Sequence, residues 1–372
     1  MFFSLLLAYV VSGLAVMIDF EQRHTKISET ELMQVISKLV NLGVFVSDYL
    51  QQILMTRVVG SENHERVKNF IVDKLEELKW TVEVDAFTAL TPLGRRNFSN
   101  VIASENIYSP RKLVLAAHYD TISVKGGFLL HTELLTGAPP LFIGEYIGAT
   151  DAAVSVAMLL YVASVINKIS RGPKDELSLQ LIFFDGEEAF LSWSSTDSLY
   201  GSRHLAGELE KKRVPCRNSK ACTHLKPTQL QAIELFVLLD LLGAADPQFF
   251  CTDRTSLRSF IEFSRIESVL KTNGLLDKHT TSYFQNPHIT YYDNKIQDDH
   301  IPFKVRNVSV VHLIPVPFPQ VWHTLSDNFE ALDLPTISNL LKILIGYVAE
   351  YTHCYNVPKG QVNHQTTSPL LS

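Results

Sequence analysis

Residues 177–188, LSLQLIFFDGEE, leave a folded chain few choices. Six of the eight residues from Leu177 to Phe184 are apolar, and the run then breaks at Asp185-Gly186 to deliver Glu187 and Glu188 side by side. A short apolar run bounded by a turn signal reads as a strand buried on both faces, as in a parallel sheet. In open α/β sheets the ligand site lies just beyond the carboxyl ends of the strands. Two adjacent carboxylates placed there can divide labour, one holding a metal and the other moving protons. Taken alone, DGEE reads more simply as a solvated acidic turn, since charged residues mostly stay exposed. The rest of the chain decides between the two.

Ser28-Glu29-Thr30-Glu31 is a capping-box pattern ahead of an amphipathic helix carrying Leu32, Val35, Ile36 and Leu39. Ser61 is placed to cap a second helix, with Val67, Phe70, Ile71, Leu75 and Leu78 on one face. Thr81–Phe87 alternates as a strand with one wet face, with Asn100–Ser104 as a short neighbour. Lys112–Ala117 is a further buried strand, ending in His118-Tyr119-Asp120. The Gly- and Pro-punctuated segment between Asp120 and Gly148 is longer than loops usually are without structure of their own. Asp151 then opens a helix predicted from Ala152 to about Lys168, where an acidic residue suits the N-terminal dipole. Helices are also expected at Tyr200–Lys211, at Thr255–Asn273 with Gly274 closing it, and at Thr336–Tyr351. Ile233–Leu239 is a buried strand ended by Asp240, and Val308–Ile314, with His312 inside it, is the last. Residues 28–355 thus read as one α/β domain with a mixed, mainly parallel sheet flanked by helices, and 356–372 as a disordered tail.

Composition narrows the class. Apolar residues are 46% and charged residues 19%, which fits a globular chain, and a net charge of −6 lacks the basic footprint of nucleic-acid binding. Residues 1–18 carry no charged side chain and read as a cleaved secretory signal, with a short uncleaved membrane anchor as the alternative. Asn97-Phe98-Ser99 and Asn307-Val308-Ser309 are glycosylation acceptors by sequence. Secretion or residence in the secretory lumen, including a Golgi anchor, follows as the expectation. The cysteines Cys216, Cys222, Cys251 and Cys354 match no zinc module, though Cys216 and Cys222 flank a short polar segment that a disulfide would close.

The chemistry-bearing residues gather at strand ends. His118 and Asp120, Glu187 and Glu188, Asp240 and, one loop further, His323 all fall at one edge of the sheet. Oxygen and imidazole donors without thiolate suit a catalytic zinc with an open position. Asp151, Glu188 and His323 would make such a set, leaving Glu187 free as acid and base. His118 and Asp120 would either supply a second metal or orient the first, and His312 is counted with them. Trp193, Phe318 and Trp322 are candidate pocket walls, each with a core reading beside it. Gln297-Asp298-Asp299-His300 reads as a solvated loop or, alternatively, places Asp298 against a substrate amine.

Several long motifs resemble the animal glutaminyl cyclases: IGATDAAV (Ile147–Val154), FFDGEEAFLSWSSTDSLYGSRHLA (Phe183–Ala206), VLLDLLGA (Val237–Ala244), IQDDHIPF (Ile296–Phe303) and LIPVPFPQVWHTLSDN (Leu313–Asn328). The similarity runs from about Val35 to Tyr351. It implies a zinc-aminopeptidase-like fold that works with one zinc per chain, held by Asp151, Glu188 and His323. It implies Glu187 as general base and acid, and Asp240 with Asp298 as a supporting acidic pair. Trp193, Phe318 and Trp322 would line the pocket, with Gln297 beside the substrate. The implied reaction turns an N-terminal glutaminyl residue, and more weakly a glutamyl one, into pyroglutamyl, in a monomer acting on peptides and proteins. The chain departs from that pattern in three places. The cysteine pair often found near the metal corresponds to Ala117 and Val156, the segment before Asp151 is long, and Cys216–Pro227 looks like an insertion. Two rivals remain: a two-zinc aminopeptidase using His118, Asp151, Glu187, Glu188, Asp240 and His323, and a secreted binding protein without catalysis on the same scaffold.

Overall fold

A computed structural model describes residues 28–123, 145–169, 177–216, 226–286 and 296–352. The signal or anchor at 1–18, most of the long segment before Gly148, Cys222 and the tail at 356–372 lie outside the described residues. Helices α1 (Glu29–Leu39), α2 (Leu42–Asp48) and α3 (Glu62–Glu77) precede the hairpin β1 (Thr81–Thr91) and β2 (Gly94–Ser104). There follow β3 (Arg111–His118), α4 (Val154–Ile166), β4 (Leu177–Phe184), α5 (Tyr200–Lys211), β5 (Ile233–Leu239), α6 (Leu257–Thr272), the single turn α7 (Ile301–Lys304), β6 (Val310–Leu313) and α8 (Leu334–Tyr351).

The six described strands lie in the order β1-β2-β4-β3-β5-β6. β1, β2 and β4 pair antiparallel, whereas β4, β3, β5 and β6 run parallel. The chain steps from β3 to β4 on one side and later to β5 on the other, so the carboxyl end of β3 is a topological switch point. His118 is the last residue of that strand.

Why these runs are strands is visible in their two-residue period. Leu113, Leu115 and Ala117 of β3 and Leu179, Leu181 and Phe183 of β4 face one core with α1, α3, α4, α6 and α8. Val114 and Ala116 of β3, with Ile182 and Phe184 of β4, face a second core with α5 and Phe303 of α7. A strand sandwiched between two helix layers has no wet face, which is why β4 is buried at every position. Ala117 and Val156, where the resemblance implies a cysteine pair elsewhere, are both fully buried in the first core. Cys216 is disulfide-bonded, and its expected partner Cys222 is outside the described residues.

Two expectations are corrected. The hairpin is longer than predicted, with β1 and β2 paired from Thr81↔Ser104 to Thr91↔Gly94, because the outer strands carry polar residues that a hydrophobic period does not register. Asp151 does not open the helix either. Helix α4 begins at Val154 and has no side-chain cap, while Asp151 and Ala152 have non-helical backbones. The Asp151 amide donates to Asp327 Oδ2 (3.2 Å), and its carboxylate faces histidines, so neither is available for capping.

Candidate active site

Loops at the carboxyl edge of the sheet bring buried acids and imidazoles together. The turn after β4 is built first by Gly186, whose φ of +68° and close approach to the Phe98 ring leave no room for a Cβ. Asp185 is buried there, with His64 Nε2 at 2.8 Å and the Ser99 amide donating to it at 2.6 Å. The amides of Glu187 and Glu188 both donate to Asp120, at 3.1 and 3.2 Å, so one carboxylate from the end of β3 fixes the backbone of both glutamates.

Asp151 stands between two groups. Its Oδ1 lies 3.0 Å from His118 Nε2, which is also 3.3 Å from Asp240 Oδ1. Its Oδ2 lies 3.2 Å from His323 Nε2, which is 3.3 Å from Glu188 Oε1. His323 reaches this position from a left-handed backbone, φ +54°. Each of the sets Asp151–Glu188–His323 and His118–Asp151–Asp240 has its ligand atoms within 4.8 Å of one another. Glu188 Oε1, Asp240 Oδ1 and both His118 nitrogens are buried without an aligned hydrogen bond. Buried orphans of this kind, all oxygen and imidazole donors, fit a zinc ion.

The electrostatics say the same. Burial, followed by the charge of Asp151, pushes the Glu188 carboxyl up to about 8. Burial also lifts Glu187 well above the usual carboxylate range, with Glu188, Asp298 and Asp299 adding to it against His118. Asp240 rises to about 6 for the same leading reason. Burial opposes protonation of His323, but its contacts with Asp151 and Glu188 win and carry it to about 10. The cluster holds protons where a cation would displace them.

Asp298 is buried beneath the site and 2.7 Å from His312 Nε2. His312 therefore serves Asp298, with which it and His300 form a set apart from the two around Asp151, and this separates it from His118. At the rim Trp193 Nε1 donates to Gln297 Oε1 (3.2 Å), Phe318 meets Trp322 edge-on with ring centroids 5.0 Å apart, and Trp322 stacks on His323 at 4.3 Å. Trp193 and Trp322 stay 39% and 41% exposed, so they are walls of an open mouth and not core. The sequence-derived site residues are thus assembled at one edge.

Three supporting residues escaped the sequence reading. Arg57, fully buried, donates to the carbonyls of Ile53, Met55, Tyr119, Ile147, Gly148 and Asp151. Asp327 accepts from the amides of Thr150 (2.7 Å) and Asp151, and Tyr146 donates to Asp151 Oδ2 (3.0 Å). None lies at a strand end, and no spacing in the sequence links them to the edge.

Residues 100–348 match the model of peptidase family M28. The glutaminyl-peptide cyclotransferase of Boiga irregularis is 41% identical over 345 residues, covering 89% of this chain and 87% of its own. The crystal structure of Macrostomum lignano glutaminyl cyclase is 33% identical, with a TM-score of 0.75 over 89% of this chain and 95% of its own. A Zn-dependent exopeptidase from Parabacteroides distasonis, 20% identical, shares the fold with a TM-score of 0.60 over 85% of this chain and 98% of its own.

Proposed function

The chain belongs to the glutaminyl-peptide cyclotransferases of peptidase family M28, and from that membership we propose that it is a zinc-dependent acyltransferase converting N-terminal glutaminyl residues of peptides and proteins to pyroglutamyl, with release of ammonia. N-terminal glutamyl residues are the weaker substrates. The observation that carries the reading is the buried Glu187, next in the chain to the metal-competent Glu188 and near enough to Asp298 and Asp299 for their charges to raise its proton affinity.

Asp151, Glu188 and His323 would hold one zinc per chain, which when bound supplies a Lewis acid that polarises the γ-amide carbonyl. The remaining work falls to side chains. Asp298, fixed by His312, holds the α-amine of the substrate over the carbonyl carbon of the side-chain amide, Cδ. The amine nitrogen attacks that carbon as Glu187 accepts its proton; the new N–C bond closes the five-membered ring. Glu187 then returns the proton to the side-chain amide nitrogen, the bond from that nitrogen to Cδ breaks, and ammonia leaves. Its raised proton affinity favours taking up the amine proton. Asp240, the other member of the supporting acidic pair, lies 3.3 Å from His118 Nε2. Trp193, Gln297, Phe318 and Trp322 confine the side chain in its near-closed shape.

Incubating the protein with one peptide beginning with Gln and another with Leu, followed by mass spectrometry and a zinc count, tests the reading. Loss of one ammonia from the Gln peptide alone, with about one zinc per chain, is expected. Free Leu with two zincs would make the chain an aminopeptidase. That second reading is favoured by one observation, the His118–Asp151–Asp240 set, which offers a second cation a place. The chain is further proposed to act as a monomer in the secretory lumen or outside the cell, glycosylated at Asn97 and Asn307. Both side chains are exposed, on β2 and in the turn after α7. An unshifted mass after endoglycosidase treatment of secreted protein would count against this.

A further inference from the structure

Tyr146 is buried, and its hydroxyl lies between two carboxylates, 3.0 Å from Asp151 Oδ2 and 3.4 Å from Asp327 Oδ2. A phenol has one proton to give. Asp327 is already served by the amides of Thr150 and Asp151, whereas no other hydroxyl donor reaches Asp151 Oδ2 among the described residues. The proton therefore goes to Asp151. The oxygen that receives it is the one facing His323, not the one facing His118. Tyr146 also sets its ring edge against the His323 ring, with centroids 6.3 Å apart. Its own backbone is pinned, since the Thr56 hydroxyl donates to the Tyr146 carbonyl (2.8 Å) and Arg57 donates to the next carbonyl, that of Ile147 (2.7 Å).

We propose that Tyr146 is a positioning residue for cation binding: by donating to Asp151 Oδ2 it locks the rotation of the shared carboxylate and selectively strengthens the Asp151–Glu188–His323 set. Partners that orient a ligating carboxylate typically contribute about 10- to 100-fold in metal affinity. The inference rests on the zinc reading of the site and sharpens it.

The test is zinc affinity itself. The parent chain and Tyr146→Phe, both stripped of metal, are titrated with zinc against a competing chelator, and folding of the zinc-free forms is checked by circular dichroism. Tyr146→Phe, folded as the parent is, should bind zinc about 10- to 100-fold more weakly. Tyr146→Leu, which removes the ring as well, should lose at least as much. If Tyr146→Leu weakens binding and Tyr146→Phe does not, the ring and not the hydroxyl matters, and the inference falls. A parent that binds zinc with an unaltered Tyr146→Phe overturns this inference alone. A parent that binds none overturns the metal reading with it.

Discussion

Glu187 and Glu188 are neighbours in the chain with different surroundings, and that difference assigns their work. Glu188 points an orphaned Oε1 to within 3.3 Å of His323, whereas Glu187 is pressed by Glu188, Asp298 and Asp299 and has no place in any of the three metal-competent sets among the described residues. Glu187→Gln should therefore keep zinc and lose turnover by about 10²- to 10⁴-fold, the range for a lost general base. Glu188→Gln should lose zinc affinity together with activity. Metal counting on both variants decides: if Glu187→Gln is the one that loses zinc, the roles are reversed. That such a pair sits at the end of LSLQLIFF was legible in the sequence because apolar period and turn chemistry mark a strand end. Which glutamate binds and which transfers came from the sequence only as a candidate set and through the family resemblance, since the geometry depends on His323, which arrives from more than a hundred residues away.

At the level of elements, the site is held by close backbone packing between α5 and the turn after β4. A Cβ on Gly201 would stand 2.3 Å from Asn100 Oδ1 and 2.4 Å from the Asp185 carbonyl, two residues before Glu187. Gly201→Ala must push that turn or the helix aside, at about 1–3 kcal/mol of stability for overpacking, and turnover should fall further than thermal unfolding alone explains. Parental kcat/KM at a temperature where the variant is fully folded would show that the turn has slack. Arg57 ties its own segment to two others, at Tyr119 and at 147–151, by donating to six carbonyls. Arg57→Met removes a donor from all six, and although Ile53 and Gly148 keep the amides of Met55 and Ala153, a loss of about 3 kcal/mol or more is expected in chemical denaturation; a loss under 1 kcal/mol would mean that water replaces the guanidinium. Strands β3, β4 and β5 were readable because burial on both faces writes itself as apolar runs. The non-helical turn at Asp151 was not, because backbone donors and Asp327, 176 positions away, override the local capping signal.

For the molecule as a whole, the α/β class follows from alternation of strands and helices, but the order β1-β2-β4-β3-β5-β6 does not, and only that order puts β3 and His118 at the switch point. The result is one edge crowded with acids, and this has a consequence for stability in the absence of metal. Glu188 is carried from an ordinary 4.5 to about 8, Asp240 from 3.8 to about 6, and His323 from 6.5 to about 10. All three shifts run upward, so between about pH 4.5 and 10 the folded chain holds more protons at these groups than the unfolded one. Stability then falls as pH rises across that window. Asp151 shifts the other way, well below its ordinary value, and its contribution changes only in acid, outside the window. A cation entering the Asp151–Glu188–His323 set must displace those protons, so its binding strengthens as pH rises while the zinc-free chain weakens. Melting curves with a chelator and with excess zinc should therefore separate progressively from about pH 5.5 to about pH 8.5. A gap that stays constant or narrows with rising pH would show that these groups are not where the metal acts, and the zinc assignment to this edge would go with it.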